Sequence, residues 1–288
     1  MEPIKLIAMD MDGTLLGDGG NGIPQENVEA LHAAHAAGIK LALCSGRIPD
    51  DMGFYALDVG VPMHILALNG TCSLDRPLGD IIRSQYLDPA DARAIFNMAQ
   101  DFPVIYGMFS DHELVVSSKE LPPESLEMIF GKNILRKGTR TVVYSNGKQA
   151  EKLLARGVNK YMIFSIDDPA PLQALRARME KELPRVEVST SWVNNLEVNP
   201  KDANKAVALT ALADSLNIPM SQVMAIGDND NDIPMLQVAG VAVAMGNATA
   251  NAKAAAHYET LPNSDGGVAA AIRALALGES IPGVRRLR

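Results

Sequence analysis

Cysteine is scarce in this sequence: Cys44 and Cys72 are the only two in 288 residues. Neither sits in a Cys-x-x-Cys or Cys/His spacing, which argues against a disulfide framework or a zinc site and for reduced thiols in an intracellular protein. Basic charge is short as well, with 26 Lys and Arg against 34 Asp and Glu and a formal net charge of −8. Such a balance, without any block of like charges, carries no footprint for nucleic acid and favours a small-molecule partner. Long apolar runs are missing too. The first run stops at Asp10, and the Ala-rich stretch 238–256 is broken by Gly246, Asn247, Asn251 and Lys253. Neither would span a bilayer, and the N-terminus lacks the basic-then-apolar pattern of a signal peptide, so no membrane partner and a cytoplasmic location are expected. The sequence expresses no preference for an oligomeric state.

What is plentiful is apolar residues, at 47% of the chain, enough to bury a full core and, at this length, to favour two domains. Residues 4–9 form a continuous apolar run of strand length, as for a strand covered on both faces in a parallel sheet. A helical pattern follows from Pro24 to Gly38. Residues 39–44 and 64–68 read as further buried strands, ending in Ser45-Gly46-Arg47 and Asn69-Gly70. Polar and glycine residues at the C-terminal end of each strand are the mark of an open α/β sheet with its ligand crevice at those ends. From about Ile81 the texture changes. Residues 104–110 and 114–118 read as a hairpin, and 161–166 and 186–191 as strands flanking a helix over 171–183. Their alternation suits a sheet with one wet face. The α/β texture then returns, with 223–226 running into Gly227-Asp228 and 241–244 into Met245-Gly246-Asn247. The expected architecture is α/β, a Rossmann-like parallel sheet core over 1–83 and 192–288, with an α+β domain inserted over 84–191.

The chemistry lies at the strand ends. Asp10 and Asp12 close the first strand, and Gly227-Asp228-Asn229-Asp230-Asn231-Asp232 follows a later one. If the two strands are parallel neighbours, four or more carboxylates meet at one edge, which repels without a cation. A hard divalent ion answers this, and Mg²⁺ is the natural candidate. An EF-hand reading of 228–239 fails, because its sixth and twelfth positions hold Ile233 and Ala239 instead of Gly and Glu. The G-x-G-x-x-G match at 17–22 is a lone one, with two aspartates in the path of a pyrophosphate, and reads better as a loop. Ser45, a hydroxyl with free backbone N–H groups at a helix start, and Lys205, at the start of another helix, complete a cradle suited to an anionic oxygen.

With these stretches in view, the chain resembles the haloacid dehalogenase superfamily, and within it the Cof-type branch. "DMDGT" at 10–14, "LCSGR" around Ser45, Lys205 and "GDNDND" at 227–232 are similar to its four motifs. "ALNG" at 67–70, "NDIPML" at 231–236, "MGNA" at 245–248 and "SDGGVAAAI" at 264–272 are similar to that branch. One departure is Ala206 where the branch usually has Gly. The resemblance implies a Mg²⁺-dependent phosphatase acting on a small phosphorylated metabolite through an aspartyl-phosphate, with the insertion as a cap. It implies Asp10 as nucleophile and Asp12 as general acid and base; Asp10, Asp12 through its carbonyl, Asp228 and Asp232 as metal ligands; and Ser45, Gly46, Lys205 and Asn231 around the phosphate. Arg47 and Asn69 are candidates for the substrate side. A phosphomutase of the same superfamily and a non-enzymatic phosphoacceptor switch are the alternatives.

Overall fold

A computed structural model describes residues 2–17, 22–117, 121–145, 147–165, 168–190 and 194–288. Most of the glycine-rich match at 17–22, and the last residues of the expected strands 114–118, 161–166 and 186–191, lie outside the described residues. In chain order the strands are β1 (Leu6–Met9), β2 (Lys40–Cys44), β3 (His64–Ala67), β4 (Cys72–Leu74), β5 (Ile81–Ser84), β6 (Ile105–Ser110), β7 (Glu113–Val116), β8 (Val142–Tyr144), β9 (Lys160–Phe164), β10 (Val186–Ser189), β11 (Asn195–Pro200), β12 (Val223–Gly227), β13 (Val241–Ala244), β14 (Tyr258–Glu259) and β15 (Arg285–Arg286). The helices are α1 (Gln25–Ala36), α2 (Pro49–Val59), α3 (Pro89–Gln100), α4 (Pro123–Phe130), α5 (Gly147–Arg156), α6 (Ala170–Glu182), α7 (Lys205–Ser215), α8 (Ile233–Val238), α9 (Ala250–Ala255) and α10 (Gly267–Ala271).

The larger sheet runs β15-β14-β13-β12-β1-β2-β3-β4-β5, parallel from β14 through β3 and antiparallel at both edges. Every residue of β1 is buried because both faces are covered. Ile7 and Met9 pack with Leu31 of α1, Met52 of α2 and Val268 of α10. Leu6 and Ala8 pack with Leu209 of α7, Leu236 of α8 and Ala252 of α9. The register aligns Met9 with Ile226 on one side and Leu43 on the other, so Asp10 leaves the sheet between Gly227 and Cys44. That register brings the two acidic stretches to one edge.

The smaller sheet runs β10-β11-β9-β6-β7-β8 and is antiparallel except between β7 and β8. Ile95 of α3, Leu153 of α5 and Leu175 of α6 pack on one face, against Met108, Tyr161, Ile163 and Val198. The opposite face is not wet, contrary to the sequence expectation. Phe109, Leu114, Val116 and Phe164 join the main apolar cluster with Phe130 of α4, and Lys160, Asn195, Glu197 and Asn199 are also buried. The expected return to the core at 192 also needs correction. β11 pairs antiparallel with β9 and β10, so the chain leaves the smaller sheet only after Pro200. Its polar pattern hid it as a strand.

Candidate active site

Four loops converge at the C-terminal end of the central strands. Asp10 follows β1, its N–H donating to the Ile226 carbonyl at 3.0 Å, and its side chain is almost fully buried. Lys205 opens α7 beneath it, behind the N-cap Asn204, whose side chain accepts from the Val207 N–H. The buried ammonium of Lys205 donates to Asp10 Oδ1 and to Asp232 Oδ1, both at 2.5 Å. Asp232 turns its other oxygen to the N–H groups of Asp228 and Asn229, at 2.9 and 3.0 Å. Asp228 accepts from the Thr14 hydroxyl at 2.6 Å. Gly13 permits this closeness: its φ is +77°, and a Cβ there would come within 2.5 Å of Asp228 Oδ2.

The loop after β1 is braced from two further motifs. Asn247 Nδ2 donates to the Gly13 carbonyl at 2.8 Å, and Asn263 Nδ2 to the Leu16 carbonyl at 3.0 Å. Asn247 Oδ1 in turn accepts from the Asn263 N–H. Asn247 of the "MGNA" stretch and Asn263, just before "SDGG", thus serve the geometry of the loop carrying Asp10 and Asp12.

The electrostatics follow from burial. Desolvation pushes the Asp10 carboxyl well above its usual range; Lys205 opposes it, and Asp232 and Asp228 reinforce it. Asp228 is pushed up to about 6, again chiefly by desolvation, against the hydrogen bond from Thr14. For Lys205, burial acts to lower the pKa, but Asp10 and Asp232 outweigh it and hold the ammonium charged. Asp10, Asp228 and Asp232 can each present an oxygen within 4.8 Å of the others. Three carboxylates against one ammonium leave an excess of negative charge on hard oxygen donors, so the residues fit a hard divalent cation such as Mg²⁺. The Asp12 side chain is elsewhere, half-exposed and turned to Arg47.

Ser45 is buried after β2, and its hydroxyl accepts from the Arg47 N–H at 3.3 Å. Arg47 does not project freely toward a substrate. Its guanidinium forks onto Asp12, with Nε to Oδ2 at 2.7 Å and Nη2 to Oδ1 at 2.6 Å, and its Nη1 pairs with Asp51. Asn69 lies against Gly46, close enough that a Cβ at Gly46 would come within 2.9 Å of Asn69 Oδ1. Asn231 is exposed beside Asp232, outside the buried network. Sequence reasoning missed Thr14, the two bracing asparagines, and Lys160 with Glu197 from the smaller sheet. Lys160 Nζ donates to the Gly46 carbonyl at 3.1 Å and to Glu197 Oε2 at 2.8 Å. Thr14, as the last residue of "DMDGT", and Asn247, in "MGNA", had a signal to be found.

Asp10 thus stands at a parallel strand end on a Rossmann-like core, beside a buried lysine and a carboxylate cluster that suits a hard divalent cation. Comparison with known proteins gives the family. The model of the haloacid dehalogenase-like hydrolases matches residues 7–272, and the chain belongs to that family. It is 32% identical to the Bacillus subtilis 5-amino-6-(5-phospho-D-ribitylamino)uracil phosphatase YcsE, over 94% of this chain and 95% of that one. It is 29% identical to the phosphatase YwpJ of the same organism, over 92% and 98%. Among solved structures, a haloacid dehalogenase-like hydrolase from Bacteroides thetaiotaomicron superposes with a TM-score of 0.80 at 26% identity, covering 94% of this chain and 98% of that one. The protein is an enzyme of the phosphatase class, as the sequence resemblance implied. Among the described residues no helix is long and apolar enough to cross a membrane.

Proposed function

We propose that this phosphatase hydrolyses a small phosphorylated metabolite by attack of Asp10 on phosphorus, forming an aspartyl-phosphate that water then cleaves. The observation that carries the reading is the burial of Asp10 between Lys205 and the Asp228 and Asp232 carboxylates, beside the loop of Ser45. Asp12 protonates the leaving alkoxide and then takes the proton of the attacking water. Its half-exposed carboxylate faces the crevice side, and the Arg47 fork fixes its direction. Lys205 and the Ser45 hydroxyl, with the backbone of Gly46, hold the transferring oxygens, a role worth on the order of a hundredfold or more in rate. Asp10, the Asp12 carbonyl, Asp228 and Asp232 would hold Mg²⁺. The bound ion supplies charge neutralisation between the anionic nucleophile and the anionic phosphate. Asn231 and Asn69 flank the phosphate and leaving-group sides.

The smaller sheet, with its helices, forms the cap, covers the crevice through Lys160 and Glu197, and selects the leaving group. YcsE, by its name, acts on a phosphorylated ribityl compound, which supports a phosphorylated metabolite of similar size here. The test is phosphate release from p-nitrophenyl phosphate and a panel of metabolite phosphates, with Mg²⁺ and with excess chelator. Asp10→Asn is nearly isosteric, leaves Lys205 its Asp232 partner and removes the nucleophile, so it abolishes turnover in a protein that still unfolds cooperatively. Retained turnover in that variant refutes the mechanism.

A further inference from the structure

The side chain of Asp12 is 56% exposed and that of Arg47 20%, so water reaches the fork between them. A pair so placed is worth little in itself, and it directs Asp12 only as firmly as the guanidinium is held from behind. Two contacts hold it. Arg47 Nη1 pairs with Asp51, four residues on in the first turn of α2, whose side chain is fully buried. The guanidinium also lies over the Tyr55 ring, 5.4 Å from its centre.

Asp51 is enclosed in turn by a loop of the segment between β7 and β8. Just past α4, the N–H and the side-chain Nδ2 of Asn133 both donate to Asp51 Oδ1 at 3.0 Å, while Oδ2 faces Arg47. Gly131 lies against the same carboxylate: its φ is +118°, and a Cβ there would come within 2.7 Å of Asp51 Cγ. A left-handed glycine and two donors on one oxygen shape this loop to a carboxylate. Burying that charge is costly, and an apolar residue in α2 would seal the seam as well, so stability alone does not account for it. The reaction gives the charge a use. Asp12 carries a proton at one stage and a negative charge at the next. With Asp51 on its far side, the guanidinium keeps a carboxylate partner at both stages and stays in place while Asp12 gains and loses its proton.

We propose that Asp51 and Asn133 are positioning residues for proton transfer: the loop at 131–133 fixes Asp51, Asp51 fixes Arg47, and Arg47 aims Asp12 at the leaving oxygen. The proposal rests on the reading of Asp12 as acid and base. In the first step an Asp10 oxygen bonds to phosphorus, the bond to the leaving oxygen breaks, and the Asp12 proton passes to that oxygen. In the second, water attacks phosphorus, its proton passes to Asp12, and the Asp10 carboxylate is released. Only the first step enters kcat/KM. Two substrates isolate the acid within it. p-Nitrophenolate leaves as a stable anion without a proton, whereas the alkoxide of an alkyl phosphate needs one; the alkyl probe is whichever of glycerol 3-phosphate and the other panel members has the highest wild-type kcat/KM. A positioned acid is worth about 10²–10⁴-fold, so in Asp12→Asn kcat/KM for the alkyl phosphate falls at least about a hundredfold more than for p-nitrophenyl phosphate. Asp51→Asn keeps the shape and leaves Asp12 present, and gives the same selective loss at about tenfold, the scale of a misdirected group. Asn133→Ala removes one of the two bonds to Asp51 and gives it at about threefold. A purely structural Asp51 would lower both substrates together. Asn133→Ala keeps the backbone bond, so it carries the comparison should Asp51→Asn lose its unfolding transition. Selective loss in Asp12→Asn, with losses for the two substrates within twofold of each other in the Asp51 and Asn133 variants, overturns the positioning role alone. Equal losses in Asp12→Asn, or a wild type that turns over p-nitrophenyl phosphate and no alkyl phosphate, overturn the acid reading and the proposal with it. No release even from p-nitrophenyl phosphate with Mg²⁺ overturns the phosphatase reading itself.

Discussion

Lys205→Met isolates the electrostatics of the site. The substitution keeps the aliphatic stem and removes the one cation that touches both Asp10 and Asp232 at 2.5 Å. Lys205 is 1% exposed and Asp232 is fully buried, so water does not take over the ammonium's role. Removing one partner of such a buried pair destabilises by about 3–5 kcal/mol. At roughly 2–4 °C per kcal/mol for a chain of this size class, the unfolding midpoint falls by about 6–20 °C in chelator. The defect is ionic, so it has two signatures beyond its size. Mg²⁺ restores part of the loss, because a ligand that binds only the folded state at a hundred times its Kd adds about 2.7 kcal/mol. Acid restores part of it too. Asp228 titrates at about 6 when folded, above an unfolded value near 4, so the folded state holds more protons across that window. Stability from this group is complete below the unfolded value and is lost as pH rises through about 6. Lys205 lowers the pKa of both Asp228 and Asp10, so its removal pushes both carboxyls further up, the variant gains more from acid than the wild type does, and the gap narrows from pH 8 toward pH 5. The assay is thermal unfolding of both proteins in chelator and in excess Mg²⁺ across that range. A variant that melts with the wild type in chelator at pH 8, or a gap indifferent to both Mg²⁺ and pH, refutes the coupling.

Two further perturbations probe the supports of the site. Thr14→Val removes the 2.6 Å bond to Asp228 without changing shape. A hydrogen bond to a charged group is worth about 1.5–3 kcal/mol, so the Mg²⁺ concentration for half-maximal activity shifts by about tenfold or more, and an unchanged Mg²⁺ titration counts against Thr14 as a ligand-orienting group. At the seam between the two units, Asp50 is buried and accepts from Thr139 and Thr141, with His112 Nδ1 at 3.1 Å. Burial alone would raise its pKa, but the bonds from His112, Thr141 and Thr139 outweigh it and lower the carboxyl below its usual value. Its contribution is thus present above the unfolded value, near 4, and is lost as pH falls through the lower folded one. Asp50→Asn flattens the acid limb of the stability curve below about pH 4, and an acid limb identical to the wild type's removes Asp50 from the account.

The legible part of this protein was the part written in short-range pattern. Continuous apolar runs ending in Asp10, Ser45 and Asp228 gave the parallel strands and their reactive ends, because a strand buried on both faces has no polar residues to dilute the signal. The spacing of Lys205 from the apolar positions of α7 gave its place at a helix start. The illegible part depends on what meets across the fold. Residues 195–200 read "NLEVNP", and three polar residues in six conceal a strand unless the partner covering them is known. Lys160 and Glu197 are 37 residues apart, and each alone resembles an ordinary solvent-facing residue of a half-wet sheet. Arg47, placed by sequence near the substrate, is engaged by Asp12 and Asp51, a pairing that follows from the turn into α2 and from no local motif.

The seam explains why these residues escaped notice and why they matter. The smaller sheet and its connections meet the core through apolar side chains such as Phe109, Phe130 and Phe164 and, beside them, through polar contacts on the loop after β2, the N-terminus of α2 and the loop after β3. Asn133 donates from its backbone and side chain to Asp51, both at 3.0 Å; Asp51 holds Arg47; and Arg47 holds Asp12. On the other side Glu197 holds Asn69 while Lys160 holds Gly46. Both chains of contact start on segments between β5 and α7; one ends on Asp12, the other on Gly46, next to Ser45, and on Asn69, whose N–H donates to the Ser45 carbonyl. The apolar part of the seam buries the interface, but it does not tell Asp12 or Asn69 which way to point. Directional bonds do so, and they make the fit of the inserted segments over the core a condition on the chemistry.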